Sequence, residues 1–123
     1  MKIGNDIVKI SRMENFFNNK HLFNRVFSPS EQQYILDVST IQQRYERMAG
    51  KIALKEAVAK AFGVGIGKEL GWLDVVSDHL EGGKPVVLKT EKLTNLLNKF
   101  GFSNLDVSIS HMDDYATAVC VLF

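Results

Sequence analysis

The stretch GKIALKEAVAKAFG, from Gly50 to Gly63, is the alanine-rich part of this 123-residue chain, and it predicts a long packed helix. An α-helix turns by about 100° per residue, so Glu56 and Lys60, four positions apart, project from the same side. One face of this helix therefore presents an acid and a base together. The stretch alone favours a solvated surface that carries one Glu–Lys pair, which stabilises a helix by roughly 0.2–0.5 kcal/mol.

Length and composition predict one globular domain covering residues 1–123. The formal net charge of +1 gives no general reason to expect a nucleic acid as partner. No apolar run approaches the roughly 18 residues that a membrane span requires, so we expect no membrane association, no targeting segment and a cytoplasmic protein. Cys120 is the single cysteine, which excludes an internal disulfide and suits a reducing compartment.

Two capping boxes mark the beginnings of helices in the first third of the chain. Ser28 lies three positions before Glu31, with Pro29 at the first helical position, and Ser11 and Glu14 have the same spacing. Each pair predicts a helix that begins directly after its serine.

Helices and strands are both predicted along the rest of the chain, which gives a compact α+β domain. The long helix runs from about Ile41 to Phe62 and closes at Gly63, a position suited to the left-handed residue after a helix. The final segment ATAVCVLF is apolar enough for a strand buried on both faces. The other predicted elements are a strand over residues 3–10, the strands WLDVV and PVVLK joined by SDHLEGGK, the helix TEKLTNLLNKF capped by Thr90, and the strand LDVSISH followed by the turn MDDY.

Polar residues inside these apolar elements are the candidates for chemistry. An aspartate such as Asp6 is disfavoured within a strand and costly to bury, unless a cation accompanies it. Mg²⁺ takes only one or two protein carboxylates, and Asp6 and Glu56 form such a pair if the first strand packs beside the long helix. Lys60 could then neutralise phosphate charge. Asp6 as a turn residue and His111 as a hydrogen-bonded core histidine are the structural alternatives.

Four motifs, in this order along the chain, resemble those of the holo-[acyl-carrier-protein] synthases, the small phosphopantetheinyl transferases of bacterial fatty acid synthesis. They are GNDIV from Gly4 with Arg12 downstream, RVFSPSE from Arg25 to Glu31, AGKIALKEAVAKAFGVGIG from Ala49 to Gly67, and VSISH from Val107 to His111. The resemblance spans almost the full chain. It implies a mostly antiparallel sheet packed against a long helix, and transfer of phosphopantetheine from coenzyme A to a serine of apo acyl carrier protein.

The resemblance also implies a role for individual residues. Asp6 and Glu56 would hold Mg²⁺ on the pyrophosphate of coenzyme A, and Glu56, directly or through a water molecule, is the candidate base for the serine proton. The implied coenzyme A contacts are Lys51, Lys60, Gly63, Gly83, Lys84, Pro85 and His111. Lys51 stands where the family commonly has arginine, so it lacks bidentate geometry toward a ribose phosphate.

The resemblance further implies a homotrimer with each site between neighbouring subunits. Arg12 and Arg25 lie in a basic N-terminal region suited to an acidic acyl carrier protein, with Arg12 at a family position for this contact. Two other functions remain open on the residues alone. One is a carrier-protein binding module without catalysis, and the other is a magnesium-dependent hydrolase of nucleotide diphosphates.

Overall fold

The computed structural model describes all residues, 1–123, as five helices and five strands. The helices are α1 Met13–Asn18, α2 Lys20–Val26, α3 Pro29–Leu36, α4 Ile41–Phe62 and α5 Glu91–Phe100. The strands are β1 Lys2–Lys9, β2 Val76–His79, β3 Pro85–Leu88, β4 Leu105–Met112 and β5 Tyr115–Leu122. None of the helices is long and apolar enough to cross a lipid bilayer.

The strands form two antiparallel sheets. The larger sheet has the order β1-β5-β4, and β2 pairs with β3 in a separate hairpin. The long helix α4 packs across one face of the larger sheet, with Leu54, Ala57 and Val58 completely buried in the main core. The predicted α+β class, with an antiparallel sheet against a long helix, is confirmed.

Helix α4 has the bounds that its sequence predicts. The Thr40 side chain accepts a hydrogen bond from the backbone N–H of Gln43 at its start, and Gly63 ends it with a φ of 75°. Strand β1 crosses α4 at Gly4, where an added Cβ would overlap the carbonyl oxygen of Ala57 and the amide nitrogen of Ala61. Glycine at this position therefore lets the strand backbone touch the helix backbone.

Only one of the two predicted capping boxes forms. Ser28 Oγ accepts from the Glu31 N–H, and Glu31 Oε1 accepts from the Ser28 N–H, as predicted. The box at Ser11 was a wrong prediction, because α1 begins only at Met13, after a 3₁₀ turn. The Ser11 N–H and hydroxyl instead donate to the carboxylate of Asp114, at 2.9 and 2.8 Å.

Two predicted strands also differ from the structure. WLDVV starts with a 3₁₀ turn at residues Trp72–Asp74, closed by a 2.7 Å hydrogen bond from the Gly71 N–H to Asp74 Oδ2, and β2 begins only at Val76. Strand β5 is buried on one face only, and not on both as predicted, since its side chains alternate between the core and the opposite face of the sheet. That opposite face is open, and we call it the open face; its apolar members are Ile3, Ile7, Met112, Tyr115, Val119 and Val121.

A buried polar cluster joins α3, α4 and β2. It consists of Glu31, Lys51, Lys55 and Ser77, all of them excluded from solvent. Lys55 Nζ lies 2.8 Å from Glu31 Oε1, and it also donates to the carbonyl oxygens of Trp72 and Val75. Because its charge is fully paired and hydrogen-bonded, this lysine is tolerated in the core.

Candidate active site

The crossing of β1 and α4 brings together the three residues predicted for chemistry. Lys60 Nζ lies 2.8 Å from Asp6 Oδ1, although 54 positions separate the two residues in sequence. Glu56, one turn before Lys60 on the same side of α4, is close enough for the Asp6 charge to affect its pKa. The close approach at Gly4, two residues before Asp6, is what places this strand against the helix.

The surroundings of Glu56 favour its protonated form. Partial burial raises the pKa of Glu56, the Asp6 carboxylate raises it further, and Lys60 opposes both effects. The pKa of Lys60 is itself raised, first by its hydrogen bond to Asp6. Glu56 is therefore a stronger proton acceptor than an ordinary glutamate, and a cation placed between the two carboxylates would relieve their repulsion.

The two carboxylates fit a magnesium ion. No group of three or more His, Cys, Asp and Glu side chains in the chain could enclose a metal. Mg²⁺ is usually bound by one or two carboxylates, with water and phosphate oxygens at its other positions. A pair of carboxylates beside a lysine matches that preference.

A second group of predicted residues lines a cavity of about 340 Å³ near the other end of α4, which we call the α4 cavity. Lys51, Gly83, Pro85 and His111 all border it. Lys84 does not border it, and its ammonium lies 3.3 Å from Asp106.

His111 is a surface residue. Its side chain is 54% exposed, with Nδ1 3.8 Å from Glu46 Oε2. The alternative of a buried core histidine is therefore wrong.

Lys51 borders the α4 cavity but turns its ammonium group inward. The residue is 1% exposed, and Nζ donates to the Ser77 carbonyl oxygen at 3.2 Å and to Ser77 Oγ at 2.8 Å. Burial lowers the pKa of Lys51 to about 8, against a smaller opposing effect of Glu31.

Within one chain, the carboxylate pair and the α4 cavity are separate. Lys51 and Lys60 are nine residues apart, which gives a rise of about 13 Å and a rotation of roughly half a turn. Asp6 and His111 lie on β1 and β4, the two edge strands of the sheet. The two groups are therefore separated along α4 and across the sheet in one copy of the chain.

A family model described as the 4'-phosphopantetheinyl transferase superfamily matches residues 2–120. The chain belongs to this superfamily. It is 40% identical over 121 residues to the holo-[acyl-carrier-protein] synthase of Protochlamydia amoebophila, covering 97% of this chain and 94% of that protein. The corresponding protein of Chlamydia pneumoniae is 37% identical over 121 residues, covering 97% of this chain and 93% of the relative.

Solved structures agree with this phosphopantetheinyl transferase assignment. The crystal structure of Helicobacter pylori holo-[acyl-carrier-protein] synthase in complex with coenzyme A superimposes with a TM-score of 0.83 at 36% identity, covering 98% of this chain and 99% of that chain. The enzyme from Neisseria meningitidis superimposes with a TM-score of 0.87 at 27% identity, covering 99% and 97%. The resemblance seen in the sequence motifs is thereby confirmed at the level of family and fold.

Sequence reasoning missed three residues that line the α4 cavity of this phosphopantetheinyl transferase. The Arg47 guanidinium carbon lies 3.9 Å from the centroid of the Tyr34 ring, and the His79 ring stacks on the same tyrosine at 4.1 Å. Arg47 could have been found, because it precedes Lys51 by one helical turn and so shares its side of α4. The stacking of Tyr34 on His79 joins α3 to the end of β2, and no local pattern signals it.

The two arginines predicted to contact a carrier protein are both exposed. Arg12 ends the 3₁₀ turn after β1, and Arg25 lies in the last turn of α2. Lys9 and Lys20 are also exposed, and none of the four is within ion-pair distance of a carboxylate. Their charges are therefore available to an external partner.

Proposed function

We propose that this chain is a magnesium-dependent holo-[acyl-carrier-protein] synthase that acts in fatty acid biosynthesis in the cytoplasm. It moves phosphopantetheine from coenzyme A to a serine of apo acyl carrier protein and releases adenosine 3',5'-bisphosphate. The observation that carries the proposal is the contact of Asp6 with Lys60 beside Glu56, within the residues that the family model matches. Relatives that bear this name match nearly the whole chain.

Glu56 and Lys60 have separate roles in the proposed reaction. The serine oxygen forms a bond to the phosphorus that carries pantetheine, and the bond from that phosphorus to the bridging oxygen of the diphosphate breaks. Glu56 accepts the serine proton, directly or through a water molecule. Lys60 places a positive charge beside the leaving phosphate, where negative charge accumulates.

Asp6 and Glu56 would hold the magnesium ion. When bound, Mg²⁺ neutralises charge on the diphosphate of the substrate. Asp6 then has two partners, because its Oδ1 already accepts a hydrogen bond from Lys60. This contact keeps the lysine beside the phosphates and orients the aspartate.

The α4 cavity is the proposed site for the nucleotide end of coenzyme A. The backbone at Gly83 and Pro85 forms one wall, with Lys84 in the same turn, and His111 stands at the rim. Gly63 lies beside Lys60 at the end of α4, where nothing would crowd a ligand phosphate. The contact of Lys51 with the ligand is treated separately below.

We further propose a homotrimer in which one subunit supplies the carboxylates and Lys60 while its neighbour supplies the α4 cavity. Two observations support the assembly. The two groups are separated in one chain, and the open face exposes Ile3 and Ile7 by 69% and 61%. An apolar sheet face of this kind is typical of a protein interface.

The acyl carrier protein would bind the basic surface formed by Lys9, Arg12, Lys20 and Arg25. One exposed ion pair contributes only about 0–1 kcal/mol, so recognition depends on several acting together. Added salt should therefore weaken transfer, because screening shortens the range of these charges. A rate that is indifferent to ionic strength would contradict this docking surface.

One assay separates the proposed activity from its alternatives. The protein is incubated with coenzyme A, Mg²⁺ and apo acyl carrier protein, and the intact carrier is weighed by mass spectrometry. A synthase adds the mass of one phosphopantetheine group to the carrier. A hydrolase cleaves coenzyme A and leaves the carrier unchanged, and a binding module changes neither; either outcome would overturn the proposed function.

A further inference from the structure

We propose that Arg47, and not Lys51, binds the phosphate group on the ribose of coenzyme A in the α4 cavity. The inference rests on the proposed function, because it takes coenzyme A as the ligand. It assigns to Arg47 the role that the resemblance gives to the residue one turn later on the same helix.

The Lys51 ammonium is already engaged inside the protein. Two of its three N–H groups are directed at Ser77, to the carbonyl oxygen and to Oγ, and Nζ also lies 4.7 Å from the centroid of the Tyr34 ring. Ser77 Oγ in turn donates to Glu31 Oε2 at 3.2 Å, and Glu31 pairs with Lys55. Turning Lys51 toward the cavity would leave a buried carbonyl oxygen without this donor and would disturb the whole polar cluster.

The Arg47 guanidinium is oriented by the protein but largely unused. Nη1 donates to the Tyr34 carbonyl oxygen at 2.6 Å, and the guanidinium plane is held near the Tyr34 ring. Its other N–H groups make no hydrogen bond within the chain. A guanidinium has five N–H donors in a planar fork that matches two oxygens of a phosphate, so a half-buried arginine held in this way is suited to bind one.

The remaining titratable groups around the cavity strengthen the case for Arg47. Burial lowers the pKa of His79, against a smaller opposing effect of the contact of its Nδ1 with the Gly83 carbonyl oxygen at 3.3 Å, so a charge on this ring is disfavoured. Glu46 is the one carboxylate that borders the cavity, and His111 lies beside it. Arg47 is therefore the permanent cation of the cavity whose donors are free.

The test compares coenzyme A with 3'-dephospho-coenzyme A, which lacks the ribose phosphate. The dissociation constant of each is measured by calorimetry on the full chain in the presence of Mg²⁺. In the Arg47→Gln variant, coenzyme A should bind about 10- to 100-fold more weakly, as expected for loss of a charge-assisted hydrogen-bonded pair. Binding of 3'-dephospho-coenzyme A should change by less than about twofold, so the preference for the phosphorylated ligand disappears.

Two further variants control for charge and for Lys51. Arg44→Gln removes the same charge from the same helix, but Arg44 does not border the cavity and donates to the carbonyl oxygens of Val38 and Leu36, so the preference should persist. Lys51→Met fills a similar volume without an ammonium, and here too the preference should persist. Arg47→Lys, which keeps the charge but loses the fork, should show an intermediate preference.

The outcomes distinguish this inference from the proposed function. If the unmodified chain binds neither ligand, the proposed function itself fails. If it binds both equally, or if Arg47→Gln retains the preference, the assignment of Arg47 is overturned while the function stands. Loss of the preference for coenzyme A in a folded Lys51→Met variant would show that Lys51 binds the ribose phosphate. If Lys51→Met does not fold, the Arg47 variants decide.

Discussion

Glu56 is the residue at which burial, a neighbouring carboxylate and a neighbouring lysine act together. Replacing it by glutamine keeps the shape of the side chain but removes both the proton acceptor and one metal ligand. We expect Glu56→Gln to lower kcat by about 10²–10⁴-fold, the usual contribution of a positioned general base, while binding of the apo carrier protein stays within about twofold. The measurement is the initial rate of mass addition to the carrier, with carrier binding followed separately.

Glu91→Gln is the matched control, since Glu91 is an exposed acid in the first turn of α5, and it should retain full activity. A titration without Mg²⁺ provides a second check. Because burial, and then the Asp6 carboxylate, raise the pKa of Glu56, its side chain should titrate above the ordinary 4.5 when followed by NMR in the metal-free chain. Normal turnover in Glu56→Gln would remove this residue from the mechanism.

Lys51 makes stability depend on pH. Its pKa is about 8 in the folded chain and 10.5 ordinarily, so below about pH 8 it is charged in both states and carries its full cost of burial. Between these values the unfolded chain binds more protons, so the free energy of unfolding should rise with pH, by at most about 3 kcal/mol. Urea unfolding at pH 7.5 and pH 10 measures the rise.

The Lys51→Met variant should lack that rise, because no ammonium is left to titrate at this position. The informative quantity is the difference between the two proteins, since other lysines and tyrosines titrate in the same range in both. Equal slopes against pH in the two proteins would show that Lys51 is not responsible.

For individual residues, the sequence predicts some side-chain contacts and not others. Glu56 and Lys60 could be placed together because helical periodicity alone puts them on one side, and the motif adds Asp6. The contact of Lys51 with Ser77 could not be foreseen, since 26 positions separate them and the path of the chain after α4 decides whether they meet. A lysine inside a basic, helical motif gives no sign of which direction its ammonium faces.

Among the elements, the crossing of β1 over α4 depends on Gly4. An added methyl group would meet the α4 backbone itself, at Ala57 and Ala61, and backbone cannot move aside as a side chain can. We expect Gly4→Ala to lower the free energy of unfolding by about 1–3 kcal/mol or more, and also to lower transfer, because the displaced strand carries Asp6 away from Glu56. Denaturant titration and the transfer assay measure the two effects.

Gly67→Ala is the matched control for the crossing. Nothing lies within 4 Å of a Cβ at Gly67, and its φ is not in the left-handed region. Stability and transfer should both remain close to those of the unmodified protein. A Gly4→Ala variant that behaves like this control would contradict the close crossing of strand and helix.

The ends of the helices show where local sequence signals are sufficient to predict a boundary. Helix α4 was predictable at both ends because Gly63 is suited to the residue after a helix and the apolar pattern begins near Ile41. Ser11 has the same local signal as Ser28, yet its side chain bonds to Asp114, 103 positions later. Capping patterns predict a helix start only when no distant partner competes for the serine.

For the whole molecule, the main question is how many chains form one site. The apolar composition of β5 predicted burial on both faces, whereas in one chain Val119 and Val121 lie on the open face. That prediction is wrong for the single chain. An apolar strand with one open face is what we would expect if a second subunit covered that face. Apolar composition indicates that a side chain is buried, but it does not indicate whether the side chain is buried by its own chain or by another subunit.

A mixture of two inactive variants tests whether the site is shared. One variant carries Glu56→Gln, and the other carries Arg47→Gln with His111→Ala, so that each chain keeps one intact half of the site. If neighbouring subunits supply the two halves, refolding the variants together in equal amounts should restore about a quarter of the sites, those that combine the two intact halves. The transfer assay on the mixture, compared with each variant alone, measures the recovery.

The same mixture with Val119→Glu in both chains is the control. A carboxylate at the centre of the open face should keep the subunits apart, and sedimentation should then find monomers without recovered activity. Leu36→Glu places the same charge on an exposed leucine of α3, away from the open face, and should leave both assembly and recovery intact. No recovery in an assembled mixture would mean that each chain builds its site alone.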